Sequence, residues 1–480
     1  NELEKKVHNA YRDSENPPGI DSPEAAFANV PIEGHEESKE VNPYDKLNKD
    51  HAFVIAGGGA HILWETSDQH DKDTVEHLDI GAFKLKFAPI KMKVGKIETS
   101  IASLWLEWKG RRAYDGIVFS PGQHKEVTTG LNGSRKTYFN LWRGFAYPPA
   151  AVGSTHPAVD LFLDHLRSNV CAGQADLAHW VIGFFAHLVQ QPWNKPQVAL
   201  VFRGGKGVGK TILVEIIGDL IGRHAFIVSN PRYLKSTFNG YLESCLMITF
   251  DEALWSGDKQ AEGVLKHLIT GKDHTIEHKG KEPFVVDNKT RVMIIGNEDW
   301  LVPASNDERR FTVLDVGAGR KQDRAFFSAM RNGMEQGGYP VLLRYFMDYP
   351  LSGLDFNEAP ATEGLADQKI HSLNPMHQWW HTCLTDGRII GAEFEGWPTT
   401  VDCERLRLAF MRYNKERRVT LWMHEDLKMG NLLKHSTPSI NRVRAGEADP
   451  HAYVYIMPTL DVCRAEWAVF INHQTEWEGL

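Results

Sequence analysis

Gly204, Gly209, Lys210 and Thr211 hold the fixed positions of G-x-x-x-x-G-K-[ST], with Gly205, Lys206, Gly207 and Val208 between them. Each residue type has a physical reason to stand there. Glycines let the backbone curl so that successive N–H groups turn inward and form a concave nest for anionic oxygens. A helix starting straight after the loop adds the partial positive charge of its N-terminus. The Lys210 ammonium can reach the β- and γ-phosphates of a nucleoside triphosphate, and the Thr211 hydroxyl can coordinate Mg2+. An apolar, β-branched run over 198–202 leads into the loop, and apolar residues at helical spacing follow over 212–221. Strand, turn and helix come in the order phosphate binding needs, so the pattern predicts a nucleoside triphosphate site.

Other residue types suited to the same chemistry follow. An apolar run over 245–250 ends in Asp251 and Glu252. Ligands of open α/β sheets bind beyond the carboxyl ends of strands, which puts both acids beside the phosphate loop. Asp251 would hold the Mg2+ shell through water, and Glu252 would polarise the attacking water. A second apolar run, 291–296, ends in Asn297, whose amide can bond both the γ-phosphate and that water. Arg309 and Arg310 come just ahead of a further strand. A planar, permanently charged guanidinium suits the charge on a transferring phosphoryl group. Residues 275–286 read as a hairpin with a basic tip, His278, Lys279, Gly280 and Lys281, lying between the two nucleotide-sensing strands.

Several other groups invite chemistry and are assigned to structure. Asp71 and Asp73 have the spacing of a metal pair but sit in a charge-dense stretch that reads as an exposed turn. His165, His179 and His187 lack the spacing of a metal triad. The pairs Arg111–Arg112 and Arg135–Lys136 read as solvated surface, and Trp379, Trp380 and Trp467 as core.

The elements that must position these residues need more than one core, since 480 residues imply two to four domains. Apolar and charged fractions of 42% and 24% are those of a soluble globular protein. No apolar run nears the ~20 residues of a membrane span. Cys171, Cys245, Cys383, Cys403 and Cys463 are odd in number and scattered, which argues against zinc and disulfides and for a reducing cytosol. A net charge of −8 means that any nucleic-acid contact must concentrate its positive charge in a groove or pore. The chain opens on Asn1 with no signal-peptide core, which fits a fragment or processed form of a longer chain.

In chain order, residues 1–50 read as a disordered or extended acidic arm. Residues 51–150 read as a small α+β domain, with strand character at 52–56, 61–64, 83–87 and 116–119. Residues 151–197 form a helical lead-in, with apolar residues such as Leu161, Phe162, Phe184 and Phe185 on helical faces. Residues 198–345 form the phosphate-loop α/β domain, including a short Gly-capped helix over 263–271 that carries Lys266. Residues 346–480 read as a helical, winged-helix-like α+β domain whose basic helix, 404–418, meets DNA or packs on the motor.

This order of phosphate loop, Asp251-Glu252 strand, Gly-capped helix, basic hairpin, Asn297 strand and Arg pair resembles the superfamily 3 helicases, which are AAA+-type motors of viruses, phages and plasmids. Within them the chain is similar to the helicase part of phage primase-helicase proteins. Tyr114-Asp-Gly-Ile-Val-Phe-Ser-Pro-Gly122 and Tyr138-Phe-Asn-Leu-Trp-Arg-Gly-Phe-Ala146 add to the likeness. The resemblance covers roughly 155–345 for the motor and is looser outside it. It implies a homohexameric ring on single-stranded and forked DNA in the bacterial host cytoplasm, with ATP and Mg2+ between subunits. Lys210, Thr211, Asp251, Glu252 and Asn297 would form one side of each site, and Arg309 or Arg310 the neighbour's finger. His278, Lys279 or Lys281 would grip DNA in the pore, and a primase or polymerase would be a partner, in the same parent chain or separate. A P-loop AAA+ switch that loads or remodels a replication partner without unwinding is the main alternative. A small-molecule kinase and a primase-polymerase resting on Asp71 and Asp73 rank below it.

Overall fold

The computed structural model describes residues 42–480 apart from 57, 68–72, 132–133, 231, 253–258, 279–281, 394–395, 420–427, 446–452, 475–476 and 478–480. Two compact units meet between Arg143 and Gly144, slightly ahead of the expected boundary at 150.

In the first unit, most of the expected arm, 1–41, lies outside the described residues. Its last part is not an arm: Asp45–Asp50 form a helix whose Leu47 is buried in the core. Asp45 in the first turn and Lys49 in the last complement the helix dipole. Strands His51–Ala56 and Gly59–Ser67 pair antiparallel, and Asp73–Asp79 and Ala113–Tyr114 complete a four-stranded sheet. The run 83–87, expected as a strand from its alternation, is helical. Asp79 accepts the N–H of Ala82 and caps Ile80–Lys86, burying Phe83 against Ile62 and Trp105. The cap decides where a period of two over five residues could not. Gly116–Val118, Ser134–Asn140 and Glu126–Leu131 make a second, three-stranded sheet. Arg112, expected on the surface, is half-buried and donates to the Glu65 carboxylate at 2.6 Å.

The second unit begins with helices Pro157–Asp164 and Ala175–Gln190, joined through a π-helical stretch, His165–Val170. Five parallel strands follow: β1 (Ala199–Arg203), β2 (Ala225–Val228), β3 (Met247–Asp251), β4 (Arg291–Gly296) and β5 (Phe311–Asp315). Their order across the sheet is β2-β3-β4-β1-β5. β1 and β4 are interior strands and apolar on both faces, as a sheet covered on each side requires. An antiparallel hairpin, Asp273–Ile276 with Phe284–Asp287, precedes β4.

The C-terminal part has its own core around Trp379, Trp380 and Trp467, all 0% exposed. Helices Pro375–Asp386, Cys403–Glu416, Met429–Ser436 and Leu460–Ile471 pack with a three-stranded sheet ordered Thr400–Asp402, Tyr453–Ile456, Asn441–Arg444. Helix Glu363–Ser372 fastens this core to the parallel sheet. Gln368 accepts the N–H groups of Leu301 (2.7 Å) and Val302 (3.1 Å), and Lys369 donates to the carbonyl of Ile471 at 3.2 Å. Arg203, at the end of β1, bridges Asp315 and Asp367.

Trp380 fills the C-terminal core and donates its indole N–H to the buried Thr437 hydroxyl at 2.9 Å. Trp380→Ala is expected to cost about 3–5 kcal/mol. Guanidinium chloride unfolding followed by far-UV circular dichroism checks this, and an unchanged midpoint would contradict it.

Candidate active site

The phosphate loop leaves β1 at Arg203 and closes into helix Lys210–Ile221. Two of its glycines cannot be replaced without movement. A Cβ on Gly204 would lie 2.8 Å from the Val316 carbonyl, and one on Gly209 (φ +97°) 2.5 Å from Phe327 and 2.7 Å from His165. Three carbonyls in the second half of the loop are tied to neighbouring elements. Asn169 donates its amide N–H to Val208 at 3.2 Å, His165 Nε2 lies 3.3 Å from the Gly209 carbonyl, and the N–H of Gln322 meets the Gly207 carbonyl at 2.9 Å. A peptide unit whose carbonyl is held outward turns its N–H the other way, so these bonds aim the donors of 208–210 into the loop's concavity.

Lys210 is buried, and its ammonium donates to the carbonyls of Gly204 (2.6 Å) and Gly205 (2.9 Å) and to Asn297 Oδ1 (2.8 Å). Burial pulls its pKa below the usual lysine range. The Asn297 amide donates in turn to the Glu252 carboxylate. β4 lies between β1 and β3, so Asn297 stands between the loop lysine and the acid pair. Glu252 sits in left-handed backbone (φ +50°), costly for a non-glycine residue, and its N–H is held by the Ile295 carbonyl at 3.0 Å. Asp251, ending β3, has its pKa raised by burial and then by Glu252, with Lys210 opposing.

Residues 206–211, Asp251, Glu252 and Asn297 line one open cleft of about 1050 Å³. Its far wall was not anticipated: Arg324, Phe327, Ser328, Arg331 and Asn332 come from one face of helix Arg324–Gly333. Their helical spacing was visible, but nothing in it said which cleft the face would meet. The sequence likewise carries no signal that places His165 and Asn169 at the loop. Thr211 and Asp251 could offer hard oxygen donors to a metal ion at this cleft, and the N–H groups of the loop could meet anionic oxygens.

Arg309 and Arg310 do not line this cleft, and they are not equivalent. Arg310 donates from Nη1 alone to both Glu308 oxygens at 2.9 Å, and the same buried carboxylate accepts the backbone N–H groups of Arg309 and Arg310. Arg309 is exposed, and its guanidinium has no partner among the described residues. At the hairpin, Lys279 and Lys281 lie outside the described residues. His278 bonds the Glu243 carboxylate at 2.8 Å and stacks on Phe284, which makes it a brace where the connecting loop leaves the hairpin strands.

A family described only as of unknown function, DUF5906, matches residues 202–310, the stretch from the end of β1 to Arg310. Over 183 residues the chain is 28% identical to the DNA Primase-polymerase of Nitratiruptor phage NrS-1, a match taking in 37% of this chain and 25% of the relative. The match thus spans about a quarter of that relative's length. Two apo structures of the NrS-1 C-terminal region superpose with TM-scores of 0.59 and 0.60 at 17% and 16% identity. Each covers 86% of this chain, and 97% and 98% of its own. The chain is related to a phage DNA primase-polymerase and has the fold of that C-terminal region. Among the described residues no helix is long and apolar enough to cross a membrane.

Because folded Asp251 keeps its proton to a higher pH than unfolded Asp251, it costs stability as pH rises through that interval. Asp251→Asn is therefore expected to melt higher than the wild type at neutral pH without nucleotide, to converge with it in acid, and to lose Mg2+-dependent turnover. Equal melting temperatures at neutral pH would contradict this.

Proposed function

We propose that this chain is an ATP-driven DNA helicase motor, AAA+-like and of superfamily 3 type, serving replication of a phage or mobile element. The single observation carrying this is the line Lys210–Asn297–Glu252 across neighbouring strands at the mouth of one cleft. Without nucleotide, Lys210 spends its charge on loop carbonyls and Asn297. A triphosphate offers anionic oxygens that draw the ammonium away from Asn297 Oδ1, and the second N–H of the Asn297 amide, beside the one that meets Glu252, can donate to the γ-phosphate. Glu252 then keeps its carboxylate for the attacking water. Mg2+, held through Thr211 and Asp251, would supply charge neutralisation on the β- and γ-oxygens.

Charge on the transferring phosphoryl group calls for an arginine, and neither member of the Arg pair reaches its own cleft. Arg324 and Arg331 line the cleft from this chain itself, and the finger from the next subunit of a ring is taken from the resemblance, with Arg309 in that role because Arg310 is committed to Glu308. A homohexamer threading single-stranded DNA at a fork, in the bacterial cytoplasm, fits an acidic chain whose positive charge need only face a pore. A primase or polymerase would be its partner, within a longer parent protein or separate. The name of the NrS-1 relative favours a second reading, DNA synthesis by this chain itself. Its candidate acids are Asp71, outside the described residues, and Asp73, which opens a strand. A remodelling ATPase without unwinding is the third.

Strand-displacement, primer-extension and ATPase assays separate these readings. Lys210→Ala is expected to abolish turnover and unwinding. Arg309→Ala is expected to lower turnover by about 10³-fold or more, and to recover part of it when mixed with Lys210→Ala subunits. No recovery at any ratio would contradict a shared site, and DNA-independent turnover without strand displacement would contradict the helicase.

A further inference from the structure

Residues 80–97 carry five lysines and no acidic residue, within a chain of net charge −8. The first half is helix Ile80–Lys86; the second enters the antiparallel hairpin Lys91–Val94 with Ile97–Ser100, which turns at Gly95 (φ +64°). Lys84, Lys91, Lys93 and Lys96 are all exposed, and none forms an ion pair among the described residues. Lys86 is the exception, with its ammonium over the Trp64 ring. Glu98, opposite Lys93 in the ladder, is the one acid on the hairpin.

The pleat divides the hairpin into two faces. Lys91 and Lys93 share one with Glu98 and Ser100, while Met92 and Val94 share the other with Thr99 and Ile97. Met92 is packed on the core of the unit, but Val94 and Ile97 are 52% and 69% exposed. The hairpin is thus anchored at its base and uncovered at its tip. A two-stranded hairpin is marginally stable by itself, and unpaired lysines crowded on it repel one another.

We propose that this hairpin, together with Lys84, is a second DNA-contacting element, remote in sequence from the motor. Its lysines neutralise the phosphates of a single strand, and Val94 and Ile97 lie against the unstacked bases. The charge complementarity selects the partner: a flexible polyanion with apolar base faces satisfies both the lysines and the bare tip. Backbone contacts carry no base code, so the element would bind without sequence preference. The inference rests on the reading of the chain as a DNA-bound motor.

The test uses the full chain and a fluorescein-labelled oligothymidylate, with anisotropy measured across a salt series. Lys91→Gln, Lys93→Gln and Lys96→Gln combined are expected to weaken binding about tenfold or more. The slope of log affinity against log salt should fall by about 2, from roughly 0.7 per lost phosphate contact on a single strand. Nucleotide affinity and oligomeric state should stay at wild-type values, and the corresponding Lys→Arg triple should keep both affinity and slope. Val94→Ser with Ile97→Ser should weaken binding with the slope unchanged. Wild-type slope and affinity in the Gln triple would overturn the hairpin assignment alone. Loss of assembly in place of DNA binding would instead make the face a contact between copies. No DNA binding by the wild type would sink the motor reading, and the hairpin with it.

Discussion

A buried ammonium must be fully hydrogen-bonded or it destabilises the fold, and Lys210 is the cation around which this site is arranged. Its partners are two carbonyls of the loop it terminates and one side-chain amide from the adjacent strand. That amide passes the connection on to Glu252. None of these partners carries a charge to neutralise Lys210 directly. The arrangement satisfies the ammonium's hydrogen bonds without a counter-ion, and a polyanion would supply the charge its partners lack.

The loop itself is shaped from behind. The π-helical stretch supplies His165 and Asn169 to two consecutive loop carbonyls, a place where local irregularity in a helix serves a site. On the other side, the segment leaving Asn297 is pinned at Leu301 and Val302 by Gln368, whose neighbour Lys369 reaches the last turn of the C-terminal helix. Asn297 is thus joined to the C-terminal core by the chain to Leu301 and by the hydrogen bonds of Gln368 and Lys369. Ala359 also holds the carbonyl of Arg309, so the exposed arginine hangs from the same frame.

Much of this was legible in the residues because it rests on local chemistry. The turn over 204–209 announces itself through its glycines, two of which a Cβ cannot replace without movement, and the strands leading to Asp251 and Asn297 through short apolar runs closed by a polar group. What stayed hidden depends on tertiary placement. The run 83–87 alternates like a strand, yet the Asp79 cap made it a helix. Asn169, His165 and the cleft face of helix Arg324–Gly333 lie on ordinary amphipathic patterns whose polar side has no address until the chain folds. Arg309 and Arg310 are indistinguishable in sequence, and only the buried carboxylate of Glu308 separates them.

The central claim, that Asn297 distinguishes a triphosphate from a diphosphate by donating an amide N–H to the γ-phosphate while Lys210 leaves its Oδ1 for the phosphates, can be tested by equilibrium binding to Asn297→Ala. Affinities for ADP and for a non-hydrolysable ATP analogue, each with Mg2+, are compared with those of the wild type. The account predicts that ADP binding is kept while the analogue's advantage over ADP disappears. An equal loss for both ligands, or an undiminished preference for the analogue, would contradict it.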